Sequence, residues 1–579
     1  MKKKVQYASK LAIDTETTGL SWKATPYMLS VFDGERSFVY DLRNSMMCKQ
    51  ARKHLLQADT LIGANTWFDL RMLCCKGVLT VTEIERYKVR DVLQDNYIHT
   101  GVWTEGGLKA VAFNVLKIKP DERDLQFEAM RKLHPRCNRV FALTRGYEAW
   151  AETALYCQQD ARMAWRLAEV LPEADTSADR LTLLQTLKGI RIDLPFANLC
   201  VKVLREIGRE VTEKHGILST SPTKLAQAMG TRNADKEVLK KQALTKDNGE
   251  LASDVMTYRD TSKMADMFDG IVRQTDDSGR VHPLLQWKCR TGRASCKAPN
   301  LQQLHKKPRK GIMLRNVILS DHPQEVLVSA DYSGIELVLF AYVAKCKNII
   351  KWLNDGEDSH SHLTEMVFGG NNAFESVRRA SAGKHTDEEI LRALKVHNNS
   401  VVRTEKALEC SRSRDLNKRL MFATIYGAQA QKIATTVDIP LAQARALLRR
   451  LNRVLPEMKK AQDEYRIDVS KQGWVATLTG RRIGVDSPHK ALNSVIQSTA
   501  ADIMRGALVS VENYLVDNAY GRTLFTVHDE VVCSVSPAWE KVETIAEGIC
   551  NVMTETATRL CKVEIKADYT IHGERWGVK

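Results

Sequence analysis

The chain of 579 residues has no apolar run near the roughly eighteen residues that a membrane-spanning helix requires. Nor is Met1-Lys-Lys-Lys followed by the apolar core of a secretion signal. A membrane protein is therefore not expected. The thirteen cysteines are odd in number, scattered, and never spaced as C-x-x-C pairs, which excludes a disulfide framework and a zinc-ribbon site. That pattern predicts a reducing, cytoplasmic compartment. No internal repeat or low-complexity tract is present. One local absence is stronger than any of these. Residues 280–315 contain no Asp or Glu, yet carry ten cations: Arg280, Lys288, Arg290, Arg293, Lys297, Lys306, Lys307, Arg309, Lys310 and Arg315. Such a run predicts a polyanionic partner.

The rest of the composition is ordinary, with 44% hydrophobic and 27% charged residues, and the length is enough for about four domains. The net charge of +16 again favours nucleic acid as partner. Three segments then place carboxylates in pairs or at helical spacing. Leu11-Ala-Ile13 predicts a strand delivering Asp14 and Glu16, which at i and i+2 share one face. Asn65 and Asp69 lie one helical turn apart, as do Tyr156 and Asp160. Adjacent carboxylates repel, and a divalent cation is the common remedy. Four of them suit a two-metal phosphodiesterase centre.

A second set lies further on. Val326–Ala330 predicts a buried strand ending at Asp331, with Glu336 five residues beyond. Thr523–Val527 and the residues after Glu530 predict a hairpin bearing His528, Asp529 and Glu530 at its bend. Two aspartates from separate strands are the minimum for clamping two Mg²⁺ ions around an in-line displacement. Between these segments, Arg414, Lys418, Phe422 and Tyr426 recur every fourth residue, a helical stripe running from cations to rings and closed by Gly427. Cations one turn apart suit a triphosphate, and rings suit a base and sugar.

These motifs resemble two known units in series. The first three segments resemble the motifs of a DEDD-type 3′–5′ exonuclease in its tyrosine subtype. The later ones resemble motifs A, B and C of a family A (Pol I-like) DNA polymerase, in the family's order. The resemblance implies a multidomain α/β protein: a ribonuclease H-like exonuclease domain followed by a right-hand polymerase of thumb, palm and fingers. The expected boundaries are 1–172 for the exonuclease, 173–279 for a thumb-like helical region, 280–344 for the first part of the palm, 345–500 for the fingers and 501–579 for the rest of the palm. Leu171–Asp179, rich in turn formers, is the expected linker. Gly189–Asp193, Ser221–Leu225 and Tyr258–Met264 resemble thumb landmarks.

By the same resemblance, Asp14, Glu16, Asp69 and Asp160 would hold the exonuclease metals, Tyr156 would orient the attacking water, and Asn65 would support the second motif. Asp331 and Asp529 would hold the polymerase metals, with Glu530 as a secondary acid. Two Mg²⁺ would serve each site, with Mn²⁺ a substitute. His360, Arg414 and Lys418 would grip the incoming dNTP, Tyr426 would stack near the templating pair, and Phe422 and Glu336 would face its sugar. Arg293, Asn300, Gln303, Asn493, Gln497 and His528 would contact primer–template DNA. Gln303, Gly334, Val338, His489 and Ser498 depart from residues common in the family. A monomer is expected, with accessory replication proteins as further partners. Because the chain opens on the exonuclease motif, the layout resembles a bacteriophage replicative enzyme, located in the host cytoplasm. A single-subunit RNA polymerase shares several of these motifs, but Glu336 and the linked exonuclease favour DNA synthesis. A decayed, DNA-binding scaffold would lack carboxylates that are all present here.

Overall fold

The computed structural model describes residues 10–20, 22, 24–118, 125–215, 221–243, 245–357, 359–368, 418–437, 439–538 and 540–577. Arg414 and the 370–410 segment, expected as part of the fingers, lie outside the described residues.

The amino-terminal part is built on a five-stranded mixed sheet of β1 (Lys10–Thr17), β2 (Pro26–Phe32), β3 (Ser37–Asp41), β4 (Thr60–Gly63) and β5 (Lys88–Asp91), in the order β3-β2-β1-β4-β5. β1 is antiparallel to β2 and parallel to β4, so it is central. Leu11, Ala12 and Ile13 are buried on its two faces, which holds the register that presents Asp14 and Glu16 together. Helix α1 (Thr66–Cys75) follows β4, α2 (Val92–Thr100) follows β5, and α3 (Trp150–Val170) packs across β1 and β2.

The expected linker is not loose chain. Helix α4 (Ser177–Lys188) begins inside it, and Ala178 and Asp179 are buried. Asp179 accepts a hydrogen bond from Arg505 at 2.6 Å, so an acid that reads as a turn former is the partner of a distant cation. The long pair α5 (Leu194–His215) and α6 (Gly249–Gln274) supplies the expected helical region. They cross closely at Gly208, where even a methyl group would meet the Tyr258 ring at 3.4 Å.

The second sheet is antiparallel. Its strands are β8 (Val326–Tyr332), β9 (Gly521–Val527), β10 (Glu530–Val535) and β11 (Ala567–Ile571), in the order β9-β10-β8-β11. Before it comes a short hairpin of β6 (Leu284–Gln286) and β7 (Ser295–Lys297). Val328, Ala330, Val531 and Cys533 pack into the core shared with helices α7 (Ile335–Val343), α8 (418–425), α9 (Ala491–Asp517) and α10 (Val542–Cys561). Leu327, Leu524, Val527 and Val532 pack on the other face, against Phe268 of α6 and Trp576. Covering both faces makes β10 apolar almost throughout rather than alternating. The acids are left at the strand ends.

Candidate active sites

At the amino-terminal site, the Thr15 amide and hydroxyl donate to Asp69 Oδ1 at 3.0 and 2.6 Å, tying α1 to β1. Tyr156, Cys157 and Asp160 come from α3, and the Cys157 thiol donates to the Asp14 carbonyl at 3.3 Å. Ligand atoms of Asp14, Glu16 and Cys157 all lie within 4.8 Å of one another. Burial, followed by repulsion from Asp160, Asp69 and Glu16, pushes the Asp14 carboxyl well above the usual carboxylate range. Burial likewise takes Asp69 to about 8, against the hydrogen bonds from Thr15. The Tyr156 phenol is also raised, by burial and then by Asp160, Glu16 and Asp14. Crowded, mutually repelling buried carboxylates are what a hard divalent cation would relieve, so this donor set fits Mg²⁺ or Mn²⁺. Cys157 escaped the sequence reading. Its signal is its place between Tyr156 and Asp160 on one helix. Burial and then Asp14 push its thiol up, and that thiol is engaged with the Asp14 carbonyl.

At the second site, Asp331 ends β8 and Asp529 sits in the turn between β9 and β10. The Tyr332 amide donates to the Asp529 carbonyl at 3.3 Å and locks the two together. His528 takes a left-handed backbone (φ 59°), which turns the chain sharply enough to present Asp529. Asp331 Oδ1 is buried without a hydrogen-bond partner, while Lys306 Nζ stands 3.7 Å from Oδ2. Burial and then Asp529 raise Asp331 to about 6, with Lys306 opposing. Burial also raises Asp529. An orphaned buried oxygen beside a second aspartate again fits a divalent ion. Glu530 points elsewhere. It is buried in an ion pair with Arg315 at 3.0 Å, and the Arg315 guanidinium lies 3.8 Å over the Trp576 ring.

Above Asp529 lies a cavity of about 310 Å³ whose lining includes Trp287, Arg293, Glu336, Met504 and His528. The Tyr426 hydroxyl donates to one Glu336 oxygen and the Arg293 guanidinium to the other. His360, Phe422 and Tyr426 form a row of tilted rings with centroids 5.9 and 6.1 Å apart. Gly427 (φ 75°) closes this helix. A methyl group there would lie 2.4 Å from the His489 carbonyl, so only glycine lets the helix end abut the segment leading into α9.

Residues 205–386 and 396–578 match the family model described as DNA polymerase family A. The chain belongs to DNA polymerase family A. It is 28% identical over 373 residues to DNA polymerase I of Pseudomonas aeruginosa, covering 61% of this chain and 36% of that protein. It is 26% identical over 461 residues to DNA polymerase I of Geobacillus stearothermophilus, covering 72% of this chain and 48% of that one. The chain thus spans less than half the length of either relative. A solved structure, the POL domain of Pol1 from M. smegmatis in complex with DNA primer-template and dNTP, superposes with a TM-score of 0.72 at 17% identity, covering 98% of this chain and 96% of the other. That likeness concerns the fold.

In this family A chain the cations of residues 280–315 divide into those with protein partners and those exposed on the surface. Arg280 pairs with Asp321 at 2.7 Å, Arg290 with Asp486, Arg293 with Glu336 and Arg315 with Glu530. Lys288 donates to Asn65 Oδ1 at 2.6 Å. The acids missing from the segment are delivered by distant chain. Lys297, Lys307, Arg309 and Lys310 are exposed, as is Lys306 beside Asp331.

The other expected DNA contacts are scattered in character. Asn300 spends its Oδ1 capping the Gln302 amide at 3.1 Å, whereas Gln303 is exposed. Asn493 Oδ1 is buried without a hydrogen-bond partner, and Gln497 lies one turn further along α9. Lys418 is exposed at the start of the described helix 418–425. No helix among the described residues is long and apolar enough to cross a membrane.

Proposed function

We propose that the protein is a template-directed DNA polymerase with a 3′–5′ proofreading exonuclease. The observation that carries the polymerase reading is the convergence of Asp331 and Asp529 beside a cavity lined by Glu336, which Tyr426 holds, in a chain of family A. The exonuclease reading rests on Asp14, Glu16, Asp69, Asp160 and Tyr156 meeting around a mixed sheet of ribonuclease H-like order. On this reading the parts are 1–172, 173–279, 280–344, 345–500 and 501–579, as exonuclease, thumb, first palm segment, fingers and second palm segment.

Asp331 and Asp529 would hold one pair of Mg²⁺ ions, and Asp14, Glu16, Asp69 and Asp160 the other. Bound there, the ions would neutralise phosphate charge and steady the attacking and leaving oxygens of an in-line displacement. The chain's own residues supply the positioning on which phosphoryl transfer depends. Lys418 and Arg414 would bind the triphosphate, with His360 beside them. Phe422 and Glu336 would wall the sugar, and Tyr426, held by Glu336, would carry the base stack. Arg293, Asn300, Gln303, Asn493, Gln497 and His528 would line the primer–template path. Tyr156 would orient water for excision. Glu530, neutralised by Arg315, would set the base of the Asp529 turn.

A primer–template with a mismatched 3′ end tests both halves. With Mg²⁺ alone the primer should shorten, and with dNTPs it should be trimmed and then extended. Extension without prior trimming would remove the exonuclease, and failure to extend a matched primer would remove the polymerase.

A further inference from the structure

Trp287 and Lys288 are consecutive, yet their side chains serve different places. Trp287 is buried and walls the cavity above Asp529. Lys288 turns to the amino-terminal part, where Nζ donates to Asn65 Oδ1 at 2.6 Å and lies 5.2 Å over the Trp103 ring. Asn65 is the residue that starts α1, the helix carrying Asp69, and it does so in a left-handed conformation (φ 63°). Asparagine tolerates that conformation better than most residues, but it must be held there. Two groups hold it. Lys288 takes the side chain, and Asp91 Oδ1 accepts the Asn65 amide at 3.1 Å. Asp91 is fully buried and also caps α2 through the Leu93 amide at 3.0 Å. Its other oxygen is buried without a hydrogen bond, so its charge is answered through space by Lys288. The turn is tight as well: a methyl group on Gly63 would sit 3.1 Å from the Ile13 carbonyl, next to Asp14.

We propose that Lys288 is a positioning residue for the amino-terminal carboxylate centre, supplied from the polymerase part of the chain. By fixing Asn65 it sets the start of α1 and hence the placement of Asp69 beside Asp14. The centre is complete only when the two parts are docked. This rests on the exonuclease reading above. Because Trp287 is its neighbour, one rigid dipeptide joins the wall of the palm cavity to the second carboxylate helix.

The test uses the full chain with Lys288→Met, Asn65→Ala, the double variant, and Lys288→Met with Asp91→Asn to keep the site neutral. Single-strand excision, matched primer extension and hydrogen exchange of residues 65–75 are followed. Lys288→Met should lower the excision kcat about tenfold or more, the scale of losing an outer support of a metal centre, with KM and extension unchanged. Adding Asn65→Ala should cost nothing further, because both remove one contact. The charge-neutral variant should show the same loss, and amides of α1 should exchange faster in each. A rise in KM at constant kcat would make Lys288 a strand contact and overturn the positioning role. Additive losses, or unchanged exchange in α1, would also overturn it. Asp14→Ala serves as control. If it excises as well as wild type, the exonuclease reading has failed, and the exchange data alone decide whether Lys288 holds Asn65.

Discussion

The Tyr426 hydroxyl donates to the Glu336 carboxylate across 90 residues of sequence, joining the helix at 418–425 to α7 beside Asp331. Arg293 holds the other oxygen, so the carboxylate is fixed from two sides. On the proposed reading Glu336 would face the sugar, where a clamped acid can reject a 2′-hydroxyl by crowding, which is discrimination by clash rather than by one methylene. Glu336→Ala should therefore raise ribonucleotide use relative to deoxynucleotide by roughly 100-fold. Tyr426→Phe, which removes a single hydrogen bond of about 1 kcal/mol, should relax it only severalfold. Phe422→Tyr, one turn from Tyr426, should instead raise dideoxynucleotide use. Steady-state incorporation of the three substrate types reads all three variants. An unchanged ribonucleotide ratio in Glu336→Ala would sink the gate and return weight to RNA synthesis.

The two carboxylate centres should separate by mutation. Asp14→Ala with Glu16→Ala should abolish mismatch excision and leave extension near wild type. Asp529→Ala should stop extension while single-strand digestion continues. Loss of both activities in either variant would show that the sites are not independent.

Salt dependence should distinguish paired from free cations in the basic run. Lys307 is exposed, so Lys307→Ala should reduce the log–log salt slope of DNA binding by about one unit if it contacts phosphate. Arg280 is committed to Asp321, so Arg280→Ala should leave the slope alone and lower the melting temperature. Equal slope changes in the two would contradict the division drawn between them.

Glu530 and Asp529 are neighbours with opposite expected effects on stability. Glu530→Ala strands a buried Arg315 and should cost about 3–5 kcal/mol. Asp529→Ala removes a carboxylate already strained by burial and should leave stability unchanged or improved. Chemical denaturation without divalent ions measures both.

Asp91 gives a pH signature. Burial raises its carboxyl from the ordinary range near 4 to about 6, Lys288 opposing. A raised carboxyl contributes stability that is complete below the unfolded value and lost as pH rises through the folded one. Wild type should thus lose on the order of 2 kcal/mol between about pH 4 and 6 that Asp91→Asn does not lose. Parallel stability curves for the two proteins over this window would rule out the assignment.

What the sequence by itself determined is the local geometry of each motif. Asp14 and Glu16 share a face because strand periodicity is two, and Tyr156 and Asp160 share one because a helix turns in under four residues. Gly427 was legible as a helix end, and the turn at His528 and Asp529 as a bend between two apolar strands. What only the tertiary structure decided is which charges meet. The run at 280–315 has no acid within it, and nothing local says that Asp321, Glu336, Asp486 and Glu530 will be brought to its arginines. The same holds for Asp179 with Arg505 and for Lys288 with Asn65, 223 residues apart. Propensity and periodicity act over a few residues. A buried charge is satisfied by whatever the packed core places beside it, and that depends on the whole chain at once.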